Sequence, residues 1–169
     1  MATIDGVDQC FLRIAAHGVR IPECWAEEGH GPRAQKLARE DWLSEFSDIT
    51  DGELDRAVRA HLGHGGREAR WWPVPATIRA LLDEELEAEA EAAVALLEDA
   101  ARNGAPLSSL EIDKAAWVAA ASVGGLRRLG ECRVGPEMDA RKRELKAAYL
   151  RERKAGRTAP SITDRAGAA

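Results

Sequence analysis

Apolar residues along the chain recur every three or four positions in segments that are separated by clusters of glycine and proline. Because that recurrence places apolar side chains on one face of an α-helix, each periodic segment predicts a helix. No segment shows the alternation that is typical of a β-strand. The pattern therefore predicts an all-α fold, with helices near residues 5–18, 34–46, 51–62, 76–102, 108–123, 126–130 and 136–155.

The ends of several predicted helices carry capping signals. Asp5 is placed to cap the first helix. Thr50 with Glu53, and Ser108 with Glu111, have the spacing of a capping box, in which each side chain accepts the other residue's free backbone amide. The third and fifth helices are therefore expected to begin at these pairs.

The helices are expected to divide into two parts with different surfaces. Residues 1–82 predict a small helical domain, residues 83–155 a helical extension that ends in a basic helix, and residues 156–169 a disordered tail. Trp42 and Trp117 both lie within apolar stripes, so both are predicted to be core residues.

Residues 70–75, which we call the strap, contain two adjacent tryptophans followed by two prolines. Each proline lacks an amide proton and biases the preceding residue to an extended conformation, so the strap is not expected to be regular helix. Adjacent side chains of an extended segment point opposite ways, so one tryptophan can pack on the core while the other faces a partner. The candidate partner-binding residues of the strap are Trp71, Trp72 and Pro73; alternatively, both tryptophans cover the core.

Charge is distributed unevenly, although the net charge is only −5. Residues 83–99 carry eight acids and no base, whereas residues 131–157 carry nine bases and five acids. The final helix is therefore a candidate surface for DNA or an acidic protein, or simply a solvated face. Its candidate residues are Arg141, Lys142, Arg143, Lys146, Arg151, Arg153 and Lys154.

The three cysteines are odd in number and widely spaced, which argues against a disulfide framework or a zinc knuckle. They favour a reducing cytoplasm, which is that of the host cell if the protein is phage-encoded. The longest uncharged run, residues 115–126, is shorter than the ~20 residues that a spanning helix needs. The amino terminus also lacks a signal-sequence pattern, so no membrane role is expected.

Signatures of catalysis are absent from the sequence. It has no phosphate-binding loop, no dinucleotide-binding glycine pattern, no nucleophile elbow and no zinc-protease motif, so an enzyme is not predicted and neither catalytic residues nor a cofactor are assigned. His30, His61 and His64 are candidate metal ligands, but no cysteine or carboxylate is spaced to complete the set, so no metal is predicted. The carboxylates of residues 83–91 are interpreted as a solvated face.

Residues 116–129 have one feature of a helix-turn-helix motif, because Ala120 and Gly124 have the spacing of that motif's turn. Gly130 and Arg133 occupy the positions where the second helix needs buried aliphatic residues. A packed helix with a glycine hinge is the favoured interpretation.

One set of residues resembles a known family. The set consists of Trp42-Leu-Ser-Glu-Phe46, Asp48, Glu53-Leu54, Ala57-Val58 and His61-Leu62, followed by Trp72-Pro73, Pro75 and Ile78. It resembles the amino-terminal helical domain of the phage replicative-helicase loader and inhibitor family. This sequence departs from the family in a longer glycine loop at 63–70, in proline-valine-proline instead of adjacent prolines, and in the helical part after residue 83. The stretch from Val123-Gly124-Gly125-Leu126 through Ala140-Arg141-Lys142 to Ala147-Ala148-Tyr149 is similar to the ends of some phage and prophage replication proteins.

The resemblance implies a small protein without ATPase activity that grips a hexameric replicative helicase, holds it inactive and delivers it to origin-bound DNA or to an initiator. The expected function is therefore that of a phage or prophage DNA-replication accessory protein. The alternatives are a small nucleic-acid-binding regulator that acts through the final helix, and a phage protein that binds and inhibits a different host factor. A small metal-dependent enzyme is the least favoured.

Overall fold

A computed structural model of the chain describes residues 1–63, 70–132 and 135–158. Within these ranges the protein has seven α-helices and no β-strand, which confirms the predicted all-α fold. The helices are α1 (Ile4–Ala16), α2 (Gly31–Glu45), α3 (Asp51–Gly63), α4 (Pro75–Arg102), α5 (Lys114–Ser122), α6 (Gly125–Glu131) and α7 (Pro136–Thr158), with 3-10 helices at Glu23–Trp25 and Leu107–Ser109. The predicted tail begins at residue 156, but α7 continues to Thr158, and residues 159–169 lie outside the described residues.

The chain divides into two compact units, an amino-terminal unit of Met1–Glu84 and a carboxyl-terminal unit of Glu85–Ala169. The division falls within α4, two residues after the boundary that the sequence analysis placed at residue 82. Each unit has its own cluster of buried apolar side chains.

The amino-terminal unit encloses a core rich in aromatic residues. Trp42 of α2 and Phe46, which directly follows that helix, are 2% and 0% exposed. The centroid of the Trp42 ring lies 5.1 Å from that of Phe11 and 5.3 Å from that of Phe46. Leu54 and Val58 of α3, together with Ile78 of α4, are fully buried beside them. The prediction that Trp42 is a core residue is therefore confirmed.

The two predicted caps in this unit have different outcomes. The Thr50–Glu53 capping box is confirmed, because the Thr50 amide donates to Glu53 Oε2 at 2.9 Å and the Glu53 amide donates to Thr50 Oγ1 at 3.3 Å. The prediction of Asp5 as the first cap is wrong. Thr3 caps α1 through its hydroxyl, which accepts from Gly6 and itself donates to Asp51 at 2.8 Å.

The Thr3–Asp51 contact also explains the glycine at position 6. A Cβ atom at Gly6 would lie 2.0 Å from Asp51 Oδ1, far inside van der Waals contact. Because Asp51 also accepts the Thr3 amide at 2.7 Å, its carboxylate joins the beginning of α1 to the beginning of α3.

The carboxyl-terminal unit has a core of its own, whereas the sequence analysis treated most of it as an extension. Leu97 of α4, Leu129 of α6 and Leu145 of α7 are at most 1% exposed. Helix α5 packs against α7 with a face of four alanines, Ala115, Ala116, Ala119 and Ala120. Alanine side chains let helix axes approach closely, so α5 contributes to this core with small residues only.

The beginning and the orientation of α5 correct two predictions. Ser108 and Glu111 do not form a capping box; residues 107–109 form a 3-10 helix, and α5 begins at Lys114 after Asp113, which accepts the Ala116 amide at 2.7 Å. Trp117 is 49% exposed, so its prediction as a core residue is wrong. The alanine face packs inward, and the opposite face carries the tryptophan.

Candidate partner-binding surfaces

The strap lies on the amino-terminal unit and is held there by the backbone as well as by side chains. Residues 71–74 are not helical, as predicted, and α4 begins at Pro75. The Arg20 amide donates to the Arg70 carbonyl at 3.1 Å, and Arg20 and Trp71 form an isolated parallel bridge. The strap is therefore fixed to the segment that follows α1.

The two tryptophans of the strap point in opposite directions. The Trp72 ring packs on the core, with its centroid 5.1 Å from Phe11 and 4.5 Å from Trp25, and Pro73 is buried. Trp71 is 58% exposed, and the Arg20 guanidinium lies 5.6 Å from its ring centroid. Of the three strap residues selected from the sequence, only Trp71 presents a large side chain to solvent.

A groove of about 480 Å³ opens beside the inner tryptophan. Its apolar lining comes from Phe11, Leu12, Ala15, Ile21, Trp25 and Trp72, and an ion pair between Asp8 and Arg39 lies at its edge. Leu12 and Ile21 are 71% and 50% exposed, so the apolar lining continues onto the open surface. The groove has the apolar lining and few polar groups that suit an apolar side chain of a partner.

The groove is not evident from the sequence. Leu12 lies off the buried stripe of α1, which consists of Val7, Cys10, Phe11 and Ile14, and this offset was the available signal. The convergence of α1, the segment after it, α2 and the strap on one groove depends on tertiary contacts. Periodicity within one helix does not contain that information.

Six of the seven basic residues that the sequence selected on α7 form two stripes in the carboxyl-terminal unit. The inner stripe forms ion pairs with the acidic residues of α4: Lys142 contacts Glu98 at 2.6 Å, and Arg153 contacts Glu89 at 2.6 Å. Lys146 lies 2.6 Å from Glu87 and 2.9 Å from Glu91. Hydrogen bonds to Glu87 and then to Glu91 raise the pKa of Lys146.

The second stripe of α7 faces solvent. Arg143, Arg151 and Lys154 are exposed and form no ion pair with any other described residue. Arg141 belongs to neither stripe, and it forms an ion pair with Glu144 of its own helix at 2.8 Å. Of the seven basic residues selected from the sequence, four therefore form ion pairs, and three form none with another described residue.

Tyr149, on the buried side of α7, is the only tyrosine of the chain. Its hydroxyl donates to Asp113 Oδ2 at 3.1 Å, while Asp113 Oδ1 caps α5. Burial, followed by the hydrogen bond to Asp113, raises the pKa of Tyr149 to about 12. Asp113 therefore joins the beginning of α5 to α7.

We expect Tyr149 to ionise near pH 12 in the folded protein, and near pH ~10 in the unfolded chain. Because the folded pKa is the higher one, the stabilisation is complete below about pH 10 and is lost as the pH rises through about 12. The absorbance of tyrosinate during an alkaline titration measures both values, with the chain in guanidinium as the control. Native ionisation near pH 10 would contradict the assigned environment.

The histidines are distributed without forming a cluster in the described part of the chain. His30 is exposed before α2, His61 is buried in α3, and His64 lies outside the described residues. Among described residues, no group of three or more histidine, cysteine or acidic side chains is arranged to hold a metal ion. No helix within the described ranges combines the length and apolar character that crossing a bilayer requires.

Comparison of the chain with protein-family models, with curated proteins and with solved structures yields no match.

Proposed function

We propose that this chain is a non-enzymatic adaptor of phage or prophage DNA replication, which binds a replicative helicase and loads or inhibits it. The observation that carries the proposal is the position of Trp71, a large aromatic side chain that is 58% exposed. It lies on a strap that is held by the backbone bridge between Arg20 and Trp71. Trp72 anchors the strap to the core next to it.

The geometry of the strap favours binding over a purely structural role. Tryptophan is enriched among the few residues that contribute most of the energy of protein interfaces. Since Trp71 is already held by the bridge to Arg20 and by its anchored neighbour, less conformational entropy is lost when it is covered. The same unit also carries the apolar groove that is lined by Trp72, Leu12 and Ile21.

The resemblance to the helicase loader and inhibitor family supports the choice of partner. Several residues that carry it, namely Trp42, Phe46, Leu54, Val58 and Ile78, are buried together in the amino-terminal unit. They form part of the core of this unit, so the resemblance lies partly in residues that hold its fold. Trp72 and Pro73, which also carry the resemblance, position the exposed Trp71.

Replacing Trp71 with alanine is expected to weaken helicase binding by roughly 30-fold, because a tryptophan hot spot contributes about 2 kcal/mol or more. The melting temperature is expected to change little, since the side chain is mostly exposed. Titration of the variant against the purified hexameric helicase of the host, by surface plasmon resonance, measures the loss.

Trp117→Ala is the matched control, because it removes another exposed tryptophan, 49% exposed, from the carboxyl-terminal unit. It is expected to leave helicase affinity unchanged. Equal affinity of wild type and Trp71→Ala would rule out the strap as the binding surface. Absence of helicase binding by wild type, together with Trp71-dependent capture of another host protein, would support the host-inhibitor alternative instead.

A further inference from the structure

We propose that the exposed stripe of α7, formed by Arg143, Arg151 and Lys154, contacts the phosphate backbone of double-stranded DNA. This inference goes beyond the proposed helicase binding and uses a surface of the other unit. It divides the basic residues of α7 into those that hold the fold and those that are available to a partner.

The ion pairs of α7 define which residues are available. Lys142, Lys146 and Arg153 recur every four to seven residues and meet glutamates of α4 at 2.6–2.9 Å. A polyanion would have to displace these intramolecular carboxylates in order to use the inner stripe. Arg143, Arg151 and Lys154 have no such competitor among the described residues.

The spacing of the three available residues places them on one side of the helix. Positions 143, 151 and 154 are separated by eight and three residues, which at 3.6 residues per turn brings them within one face. Their Cα atoms span about 16 Å along the axis at 1.5 Å per residue. Ala147 lies between them. Of the acids nearest to them on the helix, Glu144 is already paired with Arg141, and Asp139, four residues before Arg143, forms no ion pair with it.

The composition of the stripe favours DNA over an acidic protein surface. Protein interfaces are centred on buried apolar or aromatic residues, and none of the exposed large hydrophobic residues in the described part of the chain lies on α7. Recognition of single-stranded DNA relies on aromatic side chains on which bases stack, and the stripe has none. Contact with phosphates alone suits duplex DNA, which has a higher density of backbone charge along its axis than a single strand has.

The proposal predicts weak, sequence-independent binding that is highly sensitive to salt. Each neutralised phosphate contributes about −0.9 to the slope of log K against log salt, so three contacts contribute about −2.7. We expect the combined Arg143→Glu, Arg151→Glu and Lys154→Glu variant of the full chain to bind a labelled 20-base-pair duplex at least ~10-fold more weakly in 50 mM salt, with the slope reduced by about that amount.

The control has the same change in net charge at other exposed positions, Arg33→Glu, Lys36→Glu and Lys114→Glu. It is expected to retain most of the affinity in fluorescence anisotropy. The exchange of Arg143 and Arg151 for lysine and of Lys154 for arginine is expected to keep binding, since phosphate contacts need charge. If the triple glutamate variant does not fold by circular dichroism, glutamine at the same positions replaces it in the same assay.

Four results would overturn the assignment. The first two are no duplex binding by the wild-type chain in 50 mM salt, and an unchanged affinity and slope for the stripe variant. The others are an equal loss for the control, and tighter binding of a single-stranded oligonucleotide than of the duplex. None of these results depends on helicase binding, which the Trp71 variant tests separately.

Discussion

Replacing Trp42 with alanine is expected to destabilise the amino-terminal unit by about 3–5 kcal/mol, the range measured when a large aromatic side chain is removed from a core. Trp42 is 2% exposed and makes edge-on contacts with Phe11 and Phe46, so its removal leaves a cavity between α1 and α2. The Phe11 and Phe46 rings fill that space only if they leave their present positions. The loss is a large part of the 5–15 kcal/mol that is typical of a folded domain.

Urea unfolding followed by circular dichroism measures the loss of stability caused by Trp42→Ala. Hydrogen exchange read by mass spectrometry then locates it, with the faster exchange expected in α1, α2 and α3. Trp117→Ala serves as the control here too, because its side chain is 49% exposed and its removal creates no buried cavity. An unchanged unfolding midpoint for Trp42→Ala would mean that the aromatic core is not packed as described.

Replacing Leu145 with alanine is expected to destabilise the carboxyl-terminal unit by about 2–5 kcal/mol. Leu145 is fully buried in α7, within the core that also contains Met138, Tyr149 and the alanine face of α5. The alanines are too short to fill the space that Leu145 occupies, so the cavity is expected to persist. The variant tests whether this part of the chain is a packed unit instead of an extended arm.

The same urea and hydrogen-exchange measurements apply, with faster exchange expected in α5 and α7. Leu150→Ala is the matched control, because Leu150 is a partly buried leucine of the same helix. Its loss of stability is expected to be smaller, since less apolar surface returns to water. Equal and small effects of the two substitutions would contradict a packed core around Leu145.

Local signals in the sequence predicted the helices and most of their ends correctly. The Thr50–Glu53 capping box involves residues three apart, and Gly104, which follows α4, has a φ of +64° that glycine adopts readily. The non-helical strap follows from two prolines and their neighbours. These features depend on backbone geometry within one or two turns, so nearby residues are sufficient to predict them.

The first cap and the orientation of α5 depended on residues far apart in the chain. Thr3 is favoured as the cap of α1 because Asp51, 48 residues later, binds both its amide and its hydroxyl. Helix α5 has one face of alanines and another that carries Trp117, and apolarity alone favoured burial of the tryptophan face. Instead, close packing against α7 buries the alanine face. Only the tertiary structure specifies that packing.

The candidate surfaces show the same division between local and long-range information. Adjacent positions in an extended segment were enough to predict that Trp71 and Trp72 point apart, but the groove beside Trp72 needs four segments to meet. Likewise, the sequence identified a basic helix and an acidic helix. The sequence did not show which basic residues of α7 are neutralised, because that depends on α4 lying beside α7. The Lys146–Glu91 and Arg153–Glu89 pairs join residues that are 55 and 64 positions apart in the chain.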